Sequence, residues 1–314
     1  MKNSNIKYNI YFTLFKIMFI RIIAAFIADK KKRRSFRDTR IIDLQKQYLR
    51  KYLYVLNNNK TVNDNILLFN NLKKGGVELQ KYIWVCWLQG YSNAPDIVKA
   101  SINFLKKNKP DNYELIFIDI NNIKDYVYIP DYIYYKKEKG YITNTQFSDI
   151  LRLHLLDKYG GIWIDSTAFL LKQIPNDILN ADFFAYHVSS GHYKVNSWII
   201  VSKPNNIITN SMKKIMLEYW KHEKIMLNYF LYHLFFDLLT KENVEFAEEW
   251  NKSPLYYEDN NIYFLSSQIL LPYNKEILDK IFEEYFINKS TYRYDKTKNI
   301  SGTYLEKIIE LSKL

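Results

Sequence analysis

Two apolar runs with a helix between them constrain this chain most. Tyr82–Leu88 reads YIWVCWL, continuously apolar, which is the pattern of a strand buried on both faces. Tyr113–Asp119 reads YELIFID and is a second strand. Between them Asn93-Ala94-Pro95 opens a helix to about Lys107, with Pro95 near its first helical position. Strand, helix and strand this close together form a βαβ unit. The fold class is therefore α/β, with a mostly parallel sheet flanked by helices. Apolar residues make up 48% of the 314, enough to fill a core and to exclude global disorder.

The other elements follow from periodicity and breakers. Residues 41–72 read as helix, with Ile41, Ile42, Leu44, Tyr48, Leu49 and Tyr52 spaced near three and four, and Gly75-Gly76 ends the pattern. Residues 120–144 read as a long polar and aromatic connection. Thr145–Lys158 is a helix stopped by Gly160-Gly161, and Ile162–Asp165 is a short strand directly after it. Further helices are expected at Asn205–Tyr219, Ile225–Leu239 and Lys275–Phe286, with a strand at Ile262–Leu265 before the last of these.

Charge is distributed unevenly. The formal net charge is 45 − 33 = +12. Residues 1–40 hold eleven Lys/Arg and two Asp, or 11 − 2 = +9, so the rest of the chain carries only 34 − 31 = +3. The basic tag contains an apolar stretch, Ile10–Ala28, interrupted by Lys16 and Arg21 and followed by the run Lys30–Arg34. Each internal cation costs about 2.5–3.5 kcal/mol at the centre of a bilayer, while each Ile, Leu or Phe returns about 0.3–0.6. Insertion is then marginal. A helix lying in the interface, with the basic run on anionic headgroups, fits better than a single snorkelling span. No small-residue cleavage site precedes the charges, which argues against a signal peptide. A helix docked on the body is the bland alternative. A nucleic-acid reader spreads its basic groups over a face with stacking aromatics; here the excess is terminal, which argues against that class. One cysteine excludes an intrachain disulfide and suits a reducing compartment, and one Cys with five His argues against structural zinc.

The chemistry concentrates in Gln146–Leu170, QFSDILRLHLLDKYGGIWIDSTAFL. Its helix is apolar on most sides, yet Asp149 and Arg152 sit within it three residues apart, on one face. A buried charge requires a partner. The pair is an internal ion pair or the wall of a ligand cavity. Asp165 ends a strand, where α/β sheets bind ligands, and a carboxylate there can hold a hard cation. Alternatively, Asp165 caps a turn.

Ser148-Asp149-Ile150-Leu151-Arg152, followed by Tyr159-Gly160-Gly161-Ile162-Trp163-Ile164-Asp165, closely resembles the DXD region of GT-A-fold sugar transferases. These include glycosyltransferase family 32, bacterial capsular polysaccharide synthesis proteins and the large clostridial glucosylating toxins. The spacing 165 − 149 = 16 is similar to the toxin group, and Ile83–Gly90 resembles the first strand of the family. The resemblance spans about residues 82–200. It implies a GT-A-like fold and a donor site made of Trp87, Ser148, Asp149, Arg152, Asp165, Thr167 and Asn196. Trp87 would stack on the nucleotide base while Trp84 fills the core. Asp149 and Arg152 would bind hydroxyls of the donor sugar, and Asp149, Arg152 and Asp165 would form the catalytic set. Asp165 would contact Mn²⁺ or Mg²⁺ and the ribose. The second aspartate of the motif is absent, because the run is Asp165-Ser166-Thr167; Thr167 offers a hydroxyl without charge, which puts metal dependence in question.

Asn196-Ser197-Trp198 is similar to the family's acceptor-side segment, or is a plain loop-to-strand junction. His233 and Asp237 share a helical face as a base and its orienter or, with slight preference, as a bland polar pair. Arg293, Lys296 and Lys298 form a late basic cluster that could neutralise a diphosphate, or a solvated face. Cys86 reads as a small buried apolar residue. The resemblance thus implies a retaining glycosyltransferase of capsule or surface polysaccharide assembly. Its donor would be a nucleotide-diphosphate sugar, UDP-linked by preference, and its acceptor a lipid-linked saccharide. It would sit on the cytoplasmic face of the bacterial membrane. The alternatives are a toxin-like transferase acting on protein and a non-enzymatic binding or scaffold protein. The expected organisation is a membrane-associating segment at 1–40, a helical lead-in at 41–80, a nucleotide-sugar core at 81–240 and an acceptor-side α/β addition at 241–314.

Overall fold

The computed structural model describes residues 9–56, 81–189 and 191–314. The continuous apolar run forms β1 (Lys81–Cys86), which pairs in parallel with β2 (Tyr113–Ile118) through the register Lys81↔Tyr113 to Cys86↔Ile118. On its other edge β1 is parallel to β3 (Gly161–Ile164). Two more strands complete the sheet, β5 (Phe183–His187) and β6 (Val195–Ser202), in the order β2-β1-β3-β6-β5. β6 runs against both β3 and β5, so it alone opposes the common direction of the sheet. The expected α/β class with a mostly parallel sheet is what forms. A separate antiparallel ladder joins β4 (Ala168–Leu170) to β7 (Ile287–Lys289), far apart in the chain.

Alternation along β1 divides the core. Ile83 and Val85 point to one face, with Val98, Leu105 and the helix Asp96–Asn108. Trp84 and Cys86 point to the other, with the helices Asn144–Tyr159, Ile207–His222 and Leu231–Glu242. Trp84 is fully buried and donates through Nε1 to the Gly160 carbonyl at 2.9 Å, the packing role expected of it.

The site helix, Asn144–Tyr159, starts at Thr143, whose side chain accepts from the Gln146 amide. It hands over to β3 through two glycines with positive φ, +67° at Gly160 and +93° at Gly161. A Cβ on Gly161 would lie 2.3 Å from the Tyr82 carbonyl oxygen, and one on Gly160 2.6 Å from Pro204 Cδ. Only glycine allows this turn to press β3 against β1.

Several expectations need correction. The helix placed at 41–72 is the end of a longer helix, Lys30–Leu49, followed by a 3₁₀ segment, Arg50–Leu56; residues 57–80, with Gly75-Gly76, lie outside the described residues. The 120–144 connection contains two short helices, Ile123–Tyr126 and Asp131–Glu138. The helix expected from Ile225 begins at Leu231, because Leu227 N is held by the Tyr219 hydroxyl and Phe230 N by Asn228 Oδ1 in a turn. Ile262–Leu265 is not a strand but a 3₁₀ turn, Asn261–Tyr263, running into the helix Phe264–Gln268. Ile262 and Leu265 are three apart and both buried, a helical spacing, and Asp259 Oδ1 accepts from Ile262 N as a cap.

At the N-terminus, the helix Ile10–Ala25 packs on Lys30–Leu49 as a hairpin. Ile10, Thr13, Ile17 and Ala24 form its buried face, while Phe15, Phe19, Ile22 and Ile23 are about half exposed and Phe26 is 86% exposed. Lys16 folds over the Phe12 ring, 4.6 Å from its centroid. Among the described residues no helix is long and apolar enough to cross a membrane. Lys2 and Lys7 of the basic tag lie outside the described residues. The second hairpin helix docks on the body through Lys46 to Asp237, Gln45 Nε2 to the Leu227 carbonyl at 3.1 Å and Tyr48 to Glu223, which also accepts from Tyr52 of the following 3₁₀ segment.

Candidate functional site

Asp165 leaves the end of β3 with its amide bonded to the Trp198 carbonyl at 2.8 Å, which fixes its backbone against β6. Its side chain is the centre of an alternating chain of charge. Arg152 Nη2 lies 3.1 Å from Asp149 Oδ1 and 3.3 Å from Asp165 Oδ1. Asp165 Oδ2 in turn lies 3.5 Å from Lys289 Nζ. Trp163 supports this chain twice: its Nε1 donates to Asp165 Oδ1 at 3.0 Å, and its ring lies 4.8 Å beneath the Arg152 guanidinium. Arg152 also donates to the Ser197 carbonyl of β6. Burial pushes the Asp149 carboxyl up to about 6, against the pull of Arg152 and with the help of Asp165.

This chain borders a cleft of about 400 Å³ at the carboxyl end of β1 and β3. Trp87, Ser148, Arg152, Asp165 and Thr167 line it, so five of the expected donor residues share one wall. Trp87 meets Tyr292 edge to face at 5.0 Å, and its Nε1 is buried with no hydrogen-bond partner among the described residues. Ser148 Oγ donates to the Thr145 carbonyl at 2.7 Å. Asp149 is not on the wall itself and reaches it through Arg152. Asn196 also stands back: its amide donates to Glu258 and to the Tyr263 hydroxyl, and Tyr263 lines the cleft. Cys86 forms part of the wall, its thiol pushed up to about 12 by burial, which suits an inert apolar group.

His233 and Asp237 do not act as a pair. Asp237 is buried against Lys46 and lies 3.4 Å from Lys241, so it anchors the N-terminal hairpin. His233 packs among Tyr193, Phe230 and Tyr232, and burial together with the nearby Arg152 cation holds it down to about 3. Of the late basic cluster, Arg293 lines the cleft, while Lys296 and Lys298 are exposed and do not.

The sequence profile of the capsular polysaccharide synthesis protein family matches residues 23–308. This chain belongs to that family. It is similar to the O-glycosyltransferase braB of Annulohypoxylon truncatum, 31% identical over 109 residues, which is 32% of this chain and 26% of that protein. The chain thus spans about a quarter of that relative's length. Among solved structures it is similar to the PaToxG glycosyltransferase, with a TM-score of 0.37 and 19% identity, over 66% of this chain and 84% of that one.

For this family member, sequence reasoning found Arg293 among the residues that close the cleft from the far end of the chain but missed the others. Lys289 ends β7, Ser290 follows it, and Tyr292 comes just after. Lys289 donates to the Thr167 hydroxyl, and the Ser290 amide donates to the Thr167 carbonyl at 2.8 Å. Their signal was a three-residue strand without periodicity, which sequence alone does not reveal. Lys289 also bears on the expected Mn²⁺ or Mg²⁺. Both oxygens of Asp165 already face cations, and Thr167 is occupied by an ammonium. Among the described residues no group of three or more His, Cys, Asp or Glu is placed to hold a metal ion. One carboxylate between two cations does not fit a divalent ion, which needs several anionic or carbonyl oxygens.

Proposed function

We propose that this protein is a GT-A-like glycosyltransferase. It would move a sugar from a nucleoside-diphosphate donor, UDP-linked by preference, to a lipid-linked saccharide in capsule or surface polysaccharide assembly. The observation that carries this reading is the charged chain Asp149–Arg152–Asp165–Lys289 beside Trp87, at the carboxyl edge of the sheet. An oriented guanidinium and carboxylate suit the hydroxyls of a sugar, and an aromatic ring suits the flat face of a base.

In the reaction, the bond from the anomeric carbon to the β-phosphate oxygen breaks, and its electron pair stays on the phosphate. The acceptor hydroxyl oxygen forms the new bond to that carbon, and its proton passes to a departing phosphate oxygen. Attack from the face the phosphate leaves retains configuration. Asp149 and Asp165 are each held by Arg152, so they position groups and do not act as covalent nucleophiles. Catalysis is then a matter of placement and fixed charge. The hairpin would rest on anionic headgroups at the cytoplasmic face of the membrane, its exposed phenylalanines in the acyl boundary and Lys30–Arg34 above them.

Thermal shift of the full chain against UDP-, GDP-, CDP- and dTDP-sugars tests the donor, since a binder raises apparent stability. One sugar nucleotide should shift the melt, and Asp165→Asn should lower its turnover at least about a hundredfold while the fold survives. If no sugar nucleotide binds, or if Asp165→Asn turns over normally, the assignment fails.

A further inference from the structure

We propose that Lys289 takes the place of the divalent cation: its ammonium, held between Asp165 and Thr167, receives the β-phosphate of the departing nucleoside diphosphate, and transfer proceeds without metal. This rests on the nucleotide-sugar reading above and assigns a role to a residue outside the motif region.

The substitution at Thr167 and the position of Lys289 explain each other. Where the resembled motif has a second carboxylate, this chain has a neutral hydroxyl, and that hydroxyl accepts from Lys289. One negative charge is missing and one fixed positive charge is present at the same point. The formally charged side chains lining the cleft are Arg152, Lys289 and Arg293 against Asp165, which gives 3 − 1 = +2. That matches a diphosphate leaving group, whereas a bound divalent ion would bring the wall to +4.

Lys289 is also well fixed. It ends a strand paired in register with β4, Ala168 opposite Lys289, and the next amide bonds back to Thr167. A preorganised cation costs little reorganisation when charge develops on the phosphate. Two buried donors that line the cleft, Ser290 Oγ and Trp87 Nε1, have no partner among the described residues, which is the state expected of groups that await a polar ligand. Burial lowers the affinity of Lys289 for its proton and Asp165 raises it; a phosphate in contact would raise it further. The net shift of Lys289 is downward, burial being the larger influence, and the acceptor proton leaves with the departing phosphate.

Calorimetric titration of the EDTA-treated full chain with UDP, GDP, CDP and dTDP, and with the matching monophosphates, tests this. At least one diphosphate should bind in EDTA, with no gain when MnCl₂ is added. Lys289→Met should weaken that diphosphate by about tenfold to a hundredfold and leave the monophosphate nearly unchanged. Lys289→Arg should retain most of the affinity, which separates loss of charge from loss of fold. The double variant Lys289→Met with Thr167→Asp should bind the diphosphate only with Mn²⁺. If the wild type binds a diphosphate only with Mn²⁺, or if Lys289→Met binds normally, the metal replacement is overturned and the transferase reading stands. If no nucleotide binds under either condition, both fall.

Discussion

The N-terminal hairpin and the cleft break the same rule in opposite directions. In the cleft, charge is inside: Arg152 is 3% exposed and lies between two carboxylates. On the hairpin, apolar surface is outside: half of each of several large side chains faces solvent, and basic residues follow directly. Between the hairpin helices runs a cleft of about 890 Å³, larger than the donor cleft, lined by Phe15, Phe19, Ile23 and Leu44 with Lys16 and Arg40. Volume alone would select the wrong place for chemistry. The difference is in what each region lacks. The cleft at the carboxyl edge of the sheet has oriented polar groups, whereas the hairpin has apolar area without orientation.

The comparison breaks first, and hardest, at Arg152. Arg152→Met leaves Asp149 buried without its cation and should cost about 3–5 kcal/mol in urea unfolding, while Arg34→Met on the hairpin should cost about 0.5 kcal/mol or less. Comparable losses at both would mean that the cleft ions are not specially buried. The next effect belongs to the hairpin. Replacing Phe15, Phe19 and Phe26 together by Ser should lower partition onto anionic vesicles by about 2–3 kcal/mol and cost less than that in stability, since Phe15 and Phe19 are half-buried; a larger loss of stability than of partition would show that these rings serve packing and not the membrane.

A third prediction uses acid. Asp149 faces Arg152 and Asp165, with Tyr232 and His233 beside the same guanidinium, and its carboxyl sits at about 6. Protonation below that value removes one of the two carboxylate partners of Arg152, so turnover should fall about tenfold per pH unit on the acid side. A flat profile down to pH 5 would mean that Asp149 does not matter as a carboxylate. The smallest effect is a single hairpin cation: Lys30→Gln should weaken vesicle binding by about 1 kcal/mol at low salt, and the difference should fade as salt screens the surface.

What the sequence made legible was local. The strand at 81–86, the helix carrying Asp149 and Arg152, and the paired glycines before Asp165 all carry their signal within a few residues. Even the glycines have a cause that only the fold gives, the approach of the Tyr82 carbonyl. The rest required contacts across the chain. β4 and β7 are three residues each, too short for a period, yet their pairing delivers Lys289 to Asp165. Ile262–Leu265 misled because a short apolar run reads alike as strand or helix until its cap at Asp259 is seen. His233 and Asp237 share a helix as expected but face different neighbours, a distinction that spacing cannot make.

The β4–β7 ladder also sets an order of events during synthesis. The hairpin leaves the ribosome well before the segment that carries Lys289, Tyr292 and Arg293. The nascent protein therefore has its apolar and basic hairpin long before it has a complete cleft. Chains released before residue 287 would present the hairpin without Lys289, the cation that closes the cleft.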